Sequence, residues 1–199
     1  DAVTFEEIKR GKGVICDVLP RKNKLSRPEI ANVDVCFIVL ACEPEPDFYL
    51  ADKVLINCFQ QKIEPVIVVN ISDLSSNLLQ IARQNYESVT DVICVSAFDE
   101  SVKVLRDYLN DGKVACFAGQ SAVGKTSLLN ALIPDFGGKV GNLSGKTGRG
   151  THTTRQITLR KLSEGFLADT CGFSLCDLTD IDSSDLRLYL DDFVPRNQV

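Results

Sequence analysis

Gly119-Gln120-Ser121-Ala122-Val123-Gly124-Lys125-Thr126 holds the densest chemistry in the chain. Two glycines bracket four residues, and a lysine and a hydroxyl residue follow. Such glycines allow a tight turn in which successive backbone N–H groups point inward. Inward N–H groups suit phosphate oxygens. Lys125 suits the β- and γ-phosphates of a nucleoside triphosphate, and the Thr126 hydroxyl suits Mg²⁺. Ser127 extends the candidate binding set to Gly119–Ser127. The flanks agree with this reading. Val114–Ala118 is a short apolar run before the glycines, and Thr126–Leu132 has a helical pattern after them. A helix start there adds partial positive charge at the phosphates. The competing reading is a glycine-rich strand-to-helix turn that binds nothing.

Three further stretches carry related chemistry. Asp169-Thr170-Cys171-Gly172 is D-x-x-G after an apolar run. Its aspartate suits Mg²⁺ through water, and the Gly172 N–H suits a γ-phosphate. Asn70-Ile71-Ser72-Asp73 follows the apolar run Pro65–Val69 and resembles the guanine box N-K-x-D. In that box a carboxylate accepts from guanine N1–H and N2–H₂, which adenine cannot both supply. The asparagine ties the base loop to the phosphate loop. Ile71 replaces the usual lysine, and a plain turn is the alternative. Ser96-Ala97-Phe98 resembles the S-A-K box, whose backbone N–H meets guanine O6. In Ras-like GTPases the phosphate loop comes first and the base boxes last. Here the base boxes come first, which implies a circular permutation.

These motifs need a scaffold. Val35–Leu40 and Pro65–Val69 read as strands buried on both faces, joined by Val92–Val95 and Val114–Ala118. Ile157–Leu162 reads as an edge strand and Phe166–Ala168 as a short strand. Asp47 is a candidate N-cap for a helix carrying Leu50, Val54, Leu55 and Cys58. Leu74–Gln84 and Ser101–Leu109 read as helices. Alternating strands and helices predict an α/β, three-layer P-loop NTPase fold with a mostly parallel six-stranded sheet. Residues 13–20 read as a strand and Arg21–Pro28 as a polar loop. Phe136–Thr154 has no clear period and reads as a switch-like segment.

A chain of 199 residues, 44% of them hydrophobic, can bury a core and is not disordered by composition. No apolar run approaches the roughly 20 residues of a membrane span. The eight cysteines include no C-x₂-C pair. Cys16, Cys36, Cys58, Cys94 and Cys116 sit singly in apolar runs and read as small buried hydrophobes. A reduced, cytoplasmic protein follows. The net charge is −5, with basic blocks at Lys9–Arg27 and Lys139–Lys161. Such blocks suit solvated surface and also suit contact with a phosphate backbone.

The chain resembles the ribosome-small-subunit-dependent GTPase A family (RsgA, also called YjeQ). Supporting stretches are Leu19–Asn23, Leu25–Pro28, Ile30–Asp34, Glu45–Phe48, Gly119–Asn130, Gly148–Thr154 and Asp169–Phe173. The resemblance implies GTP and GDP as ligands, Mg²⁺ as cofactor, and the 30S subunit with 16S rRNA as partner. It implies an N-terminal OB-fold of which residues 1–30 are the end and linker. A permuted GTPase domain then spans 31–184, and 185–199 approach a C-terminal zinc domain, where Zn²⁺ would bind. A monomer is expected. Thr126, Asp169 and Thr153 or Thr154 would complete the Mg²⁺ and γ-phosphate contacts. The candidate catalytic set is Lys125, Thr153, Thr154 and His152, the last to orient water. Phe173 stands where many GTPases carry glutamine, so the intrinsic rate is expected to be low and stimulated by the subunit. Cys171 stands where such proteins usually carry proline. Two alternatives remain open: a P-loop ATPase or kinase, and a nucleotide-gated RNA-binding factor with vestigial hydrolysis.

Overall fold

The computed structural model describes residues 1–70, 76–133, 157–162 and 164–169, without the side chains of Ser76, Thr158 and Asp169. Its centre is a six-stranded sheet made of β5 (Val35–Leu40), β6 (Glu64–Asn70), β7 (Asp91–Val95), β8 (Val114–Ala118), β9 (Thr158–Lys161) and β10 (Phe166–Asp169), in the order β7-β6-β5-β8-β10-β9. All neighbours run parallel except β9, which pairs antiparallel with β10 at the edge. The expected six strands, their mostly parallel pairing and the edge position of β9 all hold.

The apolar runs make sense as two cores divided by one sheet. Side chains alternate across a strand. Cys36, Ile38 and Leu40 of β5 join one core, while Val35, Phe37 and Val39 join the other. Helices α1 (Phe48–Gln60) and α2 (Ser76–Tyr86) cover the first core through Leu50, Val54, Leu55, Leu78 and Ala82. Helix α3 (Lys125–Leu132) and a 3₁₀ segment over Glu100–Gly112 cover the second through Leu128, Leu129, Val102 and Leu105. Strands sandwiched this way must be apolar on both faces, which is why they read as unbroken runs rather than alternating ones.

The helix starts follow their caps. Asp47 accepts from Leu50 N at 2.9 Å, as its candidate cap role predicts. Asp99 accepts from Ser101 N at 2.8 Å and starts the 3₁₀ segment. That segment breaks at Asn110 and Asp111, whose backbone is not helical.

The first thirty residues depart from expectation. The strand predicted at 13–20 is β2 (Lys12–Val18), and it pairs with β1 (Val3–Lys9), which the sequence pattern did not mark. The predicted loop Arg21–Pro28 contains β3 (Lys24–Leu25), paired with β4 (Ile30–Ala31). Asparagine and aspartate side chains lock this linker to the sheet. Asn23 bonds both Val33 N and Val33 O, and Asp34 accepts from Val114 N and from Lys22. Cys36, Cys58 and Cys116 are buried as expected, but Cys94 is half-buried and Cys16 is exposed. Cys16 lies on β2, where every residue is exposed.

Candidate functional site

The phosphate loop connects β8 to α3 as its spacing requires, at the carboxyl ends of β5, β6 and β8. Each motif glycine has a steric reason. Gly119 has φ +128°, and a Cβ there would meet the Val39 carbonyl oxygen at 2.5 Å. Gly124 has φ +92° and caps α3. A Cβ there would fall on the amide nitrogen of Asn70. Only glycine lets the loop press this closely on its neighbours. Helix α3 has no side-chain cap bond. Its first N–H groups have no intrahelical partners by geometry, and an anion is their natural complement.

Asn70 closes the link between the base box and the phosphate loop. Its Nδ2 donates to the Val123 carbonyl at 2.9 Å, across 53 residues of chain. This is the role expected of the asparagine in a guanine box. Ile71, Ser72 and Asp73 lie outside the described residues. So do His152, Thr153, Thr154, Gly172, Phe173 and the whole Phe136–Thr154 segment.

Lys125, the phosphate-binding candidate at the start of α3, is buried, with 7% of its surface exposed. Its ammonium donates to the Gly119 carbonyl at 2.8 Å and also to the Gln120 carbonyl. The lysine folds back over the loop from the first turn of α3, and burial lowers its pKa to about 8. Among the described residues its partners are neutral carbonyls, and a buried cation so placed suits an anionic partner. Ser121, Ala122, Thr126 and Ser127 are exposed, and Val123 anchors the loop in the core. Thr126 is thus an exposed residue beside the loop, and its hydroxyl is a hard oxygen donor of the kind that fits Mg²⁺. Asp169 closes β10 opposite Thr158, and its side chain lies outside the described residues.

The Ser96–Phe98 turn is held by its own side chains. Ser96 N donates to Ser101 Oγ at 2.8 Å, and Phe98 N donates to Ser96 Oγ at 3.1 Å. Both amides are used inside the turn. Among the described residues the Ala97 N–H has no partner.

Gln120 has a role that the motif pattern hid. Its Oε1 accepts from Asp47 N at 3.1 Å, and its Nε2 donates to the Glu45 carbonyl at 3.1 Å. It staples the phosphate loop to the segment entering α1. Glu45-Pro46-Asp47 was legible as a family stretch, but no local pattern links it to a variable loop position 75 residues away. A separate cleft of about 850 Å³, lined by Arg21, Lys24, Gln61 and Ile157 among others, includes none of the motif residues.

Known proteins bear on this arrangement. The sequence model of the RsgA GTPase family matches residues 18–179. The small ribosomal subunit biogenesis GTPase RsgA of Geobacillus sp. (strain WCH70) is 40% identical over 100% of this chain and 70% of its own length. The crystal structure of YjeQ from Thermotoga maritima superposes with a TM-score of 0.76 at 33% identity, covering 96% of this chain and 66% of that one. YloQ, a circularly permuted GTPase, gives 0.69 at 30% identity, covering 96% and 61%. The chain thus spans 61% to 70% of the length of these proteins. With base boxes preceding the phosphate loop on the same sheet, and with matches of this extent, the chain belongs to the RsgA GTPase family.

Proposed function

We propose that this chain binds GTP and hydrolyses it slowly until the small ribosomal subunit stimulates it, in late maturation of that subunit. Asp73 and the Ala97 N–H select guanine, while Asn70 ties the base loop to the phosphates. Gly119–Ser127 holds the phosphate chain, with Lys125 spreading its charge. Thr126, Asp169 and Thr153 or Thr154 would hold Mg²⁺, which would supply charge neutralisation at the phosphates. His152 is the candidate for orienting water. The observation that carries this reading is the Asn70 Nδ2 bond to Val123 O, 2.9 Å, which makes base reading and phosphate binding one unit.

The ribosomal partner rests on the names of the relatives and on the basic block Lys9–Arg27. The antiparallel hairpin β1–β2 supports residues 1–30 as the end of an OB-fold and its linker. Residues 31–184 are then the GTPase domain, and 185–199 lead toward a zinc-binding domain. Among the described residues no helix is long and apolar enough to cross a membrane. A cytoplasmic monomer acting on 16S rRNA completes the proposal.

Calorimetry with GTP, GDP and ATP tests the base preference. Phosphate release with and without purified 30S subunits tests the partner. Equal affinity for ATP and GTP overturns the guanine reading, and an unchanged rate with subunits overturns the partner.

A further inference from the structure

Phe98 exposes 88% of its surface, more than any other large apolar side chain among the described residues. An aromatic ring left this open invites a partner. Its backbone is held firmly. Asp99 Oδ1 accepts from Ser101 N at 2.8 Å and also from Ser101 Oγ. Ser101 Oγ accepts from Ser96 N at 2.8 Å, and Ser96 Oγ accepts from Phe98 N at 3.1 Å. Three polar side chains thus rigidify a turn whose tip is one naked phenyl ring.

The place of that turn decides what the ring meets. It follows the carboxyl end of β7, and Val95 of β7 lies opposite Asn70 of β6. Asn70 in turn bonds the phosphate loop at Val123. Ligands of open parallel sheets bind outside the carboxyl ends of the strands. Phe98 therefore stands on the ligand edge, next to the Ala97 N–H and three residues beyond Val95, which lies level with Asn70.

We propose that Phe98 is a stacking platform for the purine base: the Ala97 N–H meets the base edge and the phenyl ring covers its face. This rests on the nucleotide reading above. Stacking is blind to base identity, because every base has a π-face. Phe98 then supplies affinity, and the hydrogen bonds supply choice. It also acts on diphosphate and triphosphate alike, because the base is the same in both.

The test uses the absence of tryptophan from the chain. Phe98→Trp places a single indole at the proposed stacking position. Titration with GDP is expected to quench its emission, saturating at the Kd that calorimetry gives, while inorganic pyrophosphate leaves the emission unchanged. Phe98→Ala is expected to weaken GDP and GTP equally, by roughly 5- to 100-fold, with Phe98→Tyr restoring affinity. Pyrophosphate affinity is expected to stay unchanged in Phe98→Ala. The side chain is exposed, so circular dichroism of each variant is expected to match the parent. If the parent binds GDP but Phe98→Ala does so within twofold, or the indole ignores bound GDP, the stacking role is overturned. If the unaltered chain binds GDP no better than pyrophosphate, the nucleotide reading itself has failed.

Discussion

At the scale of single residues, the phosphate loop combines strain with burial. Ala122 sits at φ +70°, a left-handed conformation that costs a Cβ-bearing residue about 1 kcal/mol. Ala122→Gly is therefore expected to raise stability by roughly 0.5–1 kcal/mol in denaturant melts, less whatever chain entropy the glycine adds to the unfolded state. Lys125 is the stronger case. Its ammonium is buried against two carbonyls, so removing it relieves a desolvated charge while removing the phosphate partner. Lys125→Ala is expected to melt within a few degrees of the parent yet lose triphosphate affinity about 100-fold or more by calorimetry. Retained affinity would remove the lysine from the site. The identity of these residues was readable, because glycine spacing states a backbone requirement directly. The buried state of Lys125 was not, since exposure depends on how the loop folds over its own carbonyls. Gln120 was unreadable for a related reason: it fills a variable position, and its partners lie far away in sequence.

At the scale of elements, side-chain hydrogen bonds set how loops and helices meet. Gln120 holds Glu45 O and Asp47 N, so the phosphate loop and the α1 entrance move together. Gln120→Ala leaves both backbone groups to water and is expected to weaken GDP and GTP by about 3- to 10-fold, with a melting change of only a few degrees. Helices α1 and α2 meet through Tyr86, whose hydroxyl donates to Asp52 Oδ1 at 2.7 Å. Asp52 is half-buried, and burial raises its pKa despite the Tyr86 bond. A carboxyl with a raised native pKa binds protons more tightly folded than unfolded. Its ionisation therefore costs stability as pH rises through the native value, and that cost is absent below about pH 4. Asp52→Asn keeps an acceptor for Tyr86 and is expected to be more stable than the parent at pH 7. The advantage is expected to close as pH falls toward 4, read from urea melts across that range. A gap that widens in acid would contradict the assignment. Elements with strong local signals were legible, Asp47 as a cap among them. β1 was not. Its register with β2 shifts twice, between Thr4 and Phe5 and between Glu7 and Lys9, and such bulges destroy the period-two pattern. β3 and β4, at two residues each, are too short to leave any period.

At the scale of the whole molecule, stability is unevenly distributed. The main sheet separates two cores, and all six residues of β5 are buried. The β1–β2 hairpin lies at the other extreme. Phe5, Ile8, Val14, Ile15 and Val18 are each more than half exposed. Among the described residues, Leu19 N donates to Ala2 O at 2.9 Å and closes the hairpin, and Arg21 pairs with Asp1 at 2.7 Å on the surface. A two-stranded ribbon with no packed face is marginal in water, and an exposed ion pair adds little. In the 199-residue chain taken by itself, the hairpin is thus expected to open without disturbing the sheet. Hydrogen exchange followed by mass spectrometry tests this at one pH and temperature. Amides of β5, β6 and β8 are expected to exchange only through global unfolding, whereas those of β1 and β2 exchange orders of magnitude faster by local opening. Bound GDP is expected to slow the sheet amides by mass action, since it binds only the folded site, and to leave the hairpin amides unchanged. Protection of the hairpin equal to that of β5 would mean that something packs its apolar side chains into the core, and the division into a rigid nucleotide unit and a loosely held ribbon would be wrong.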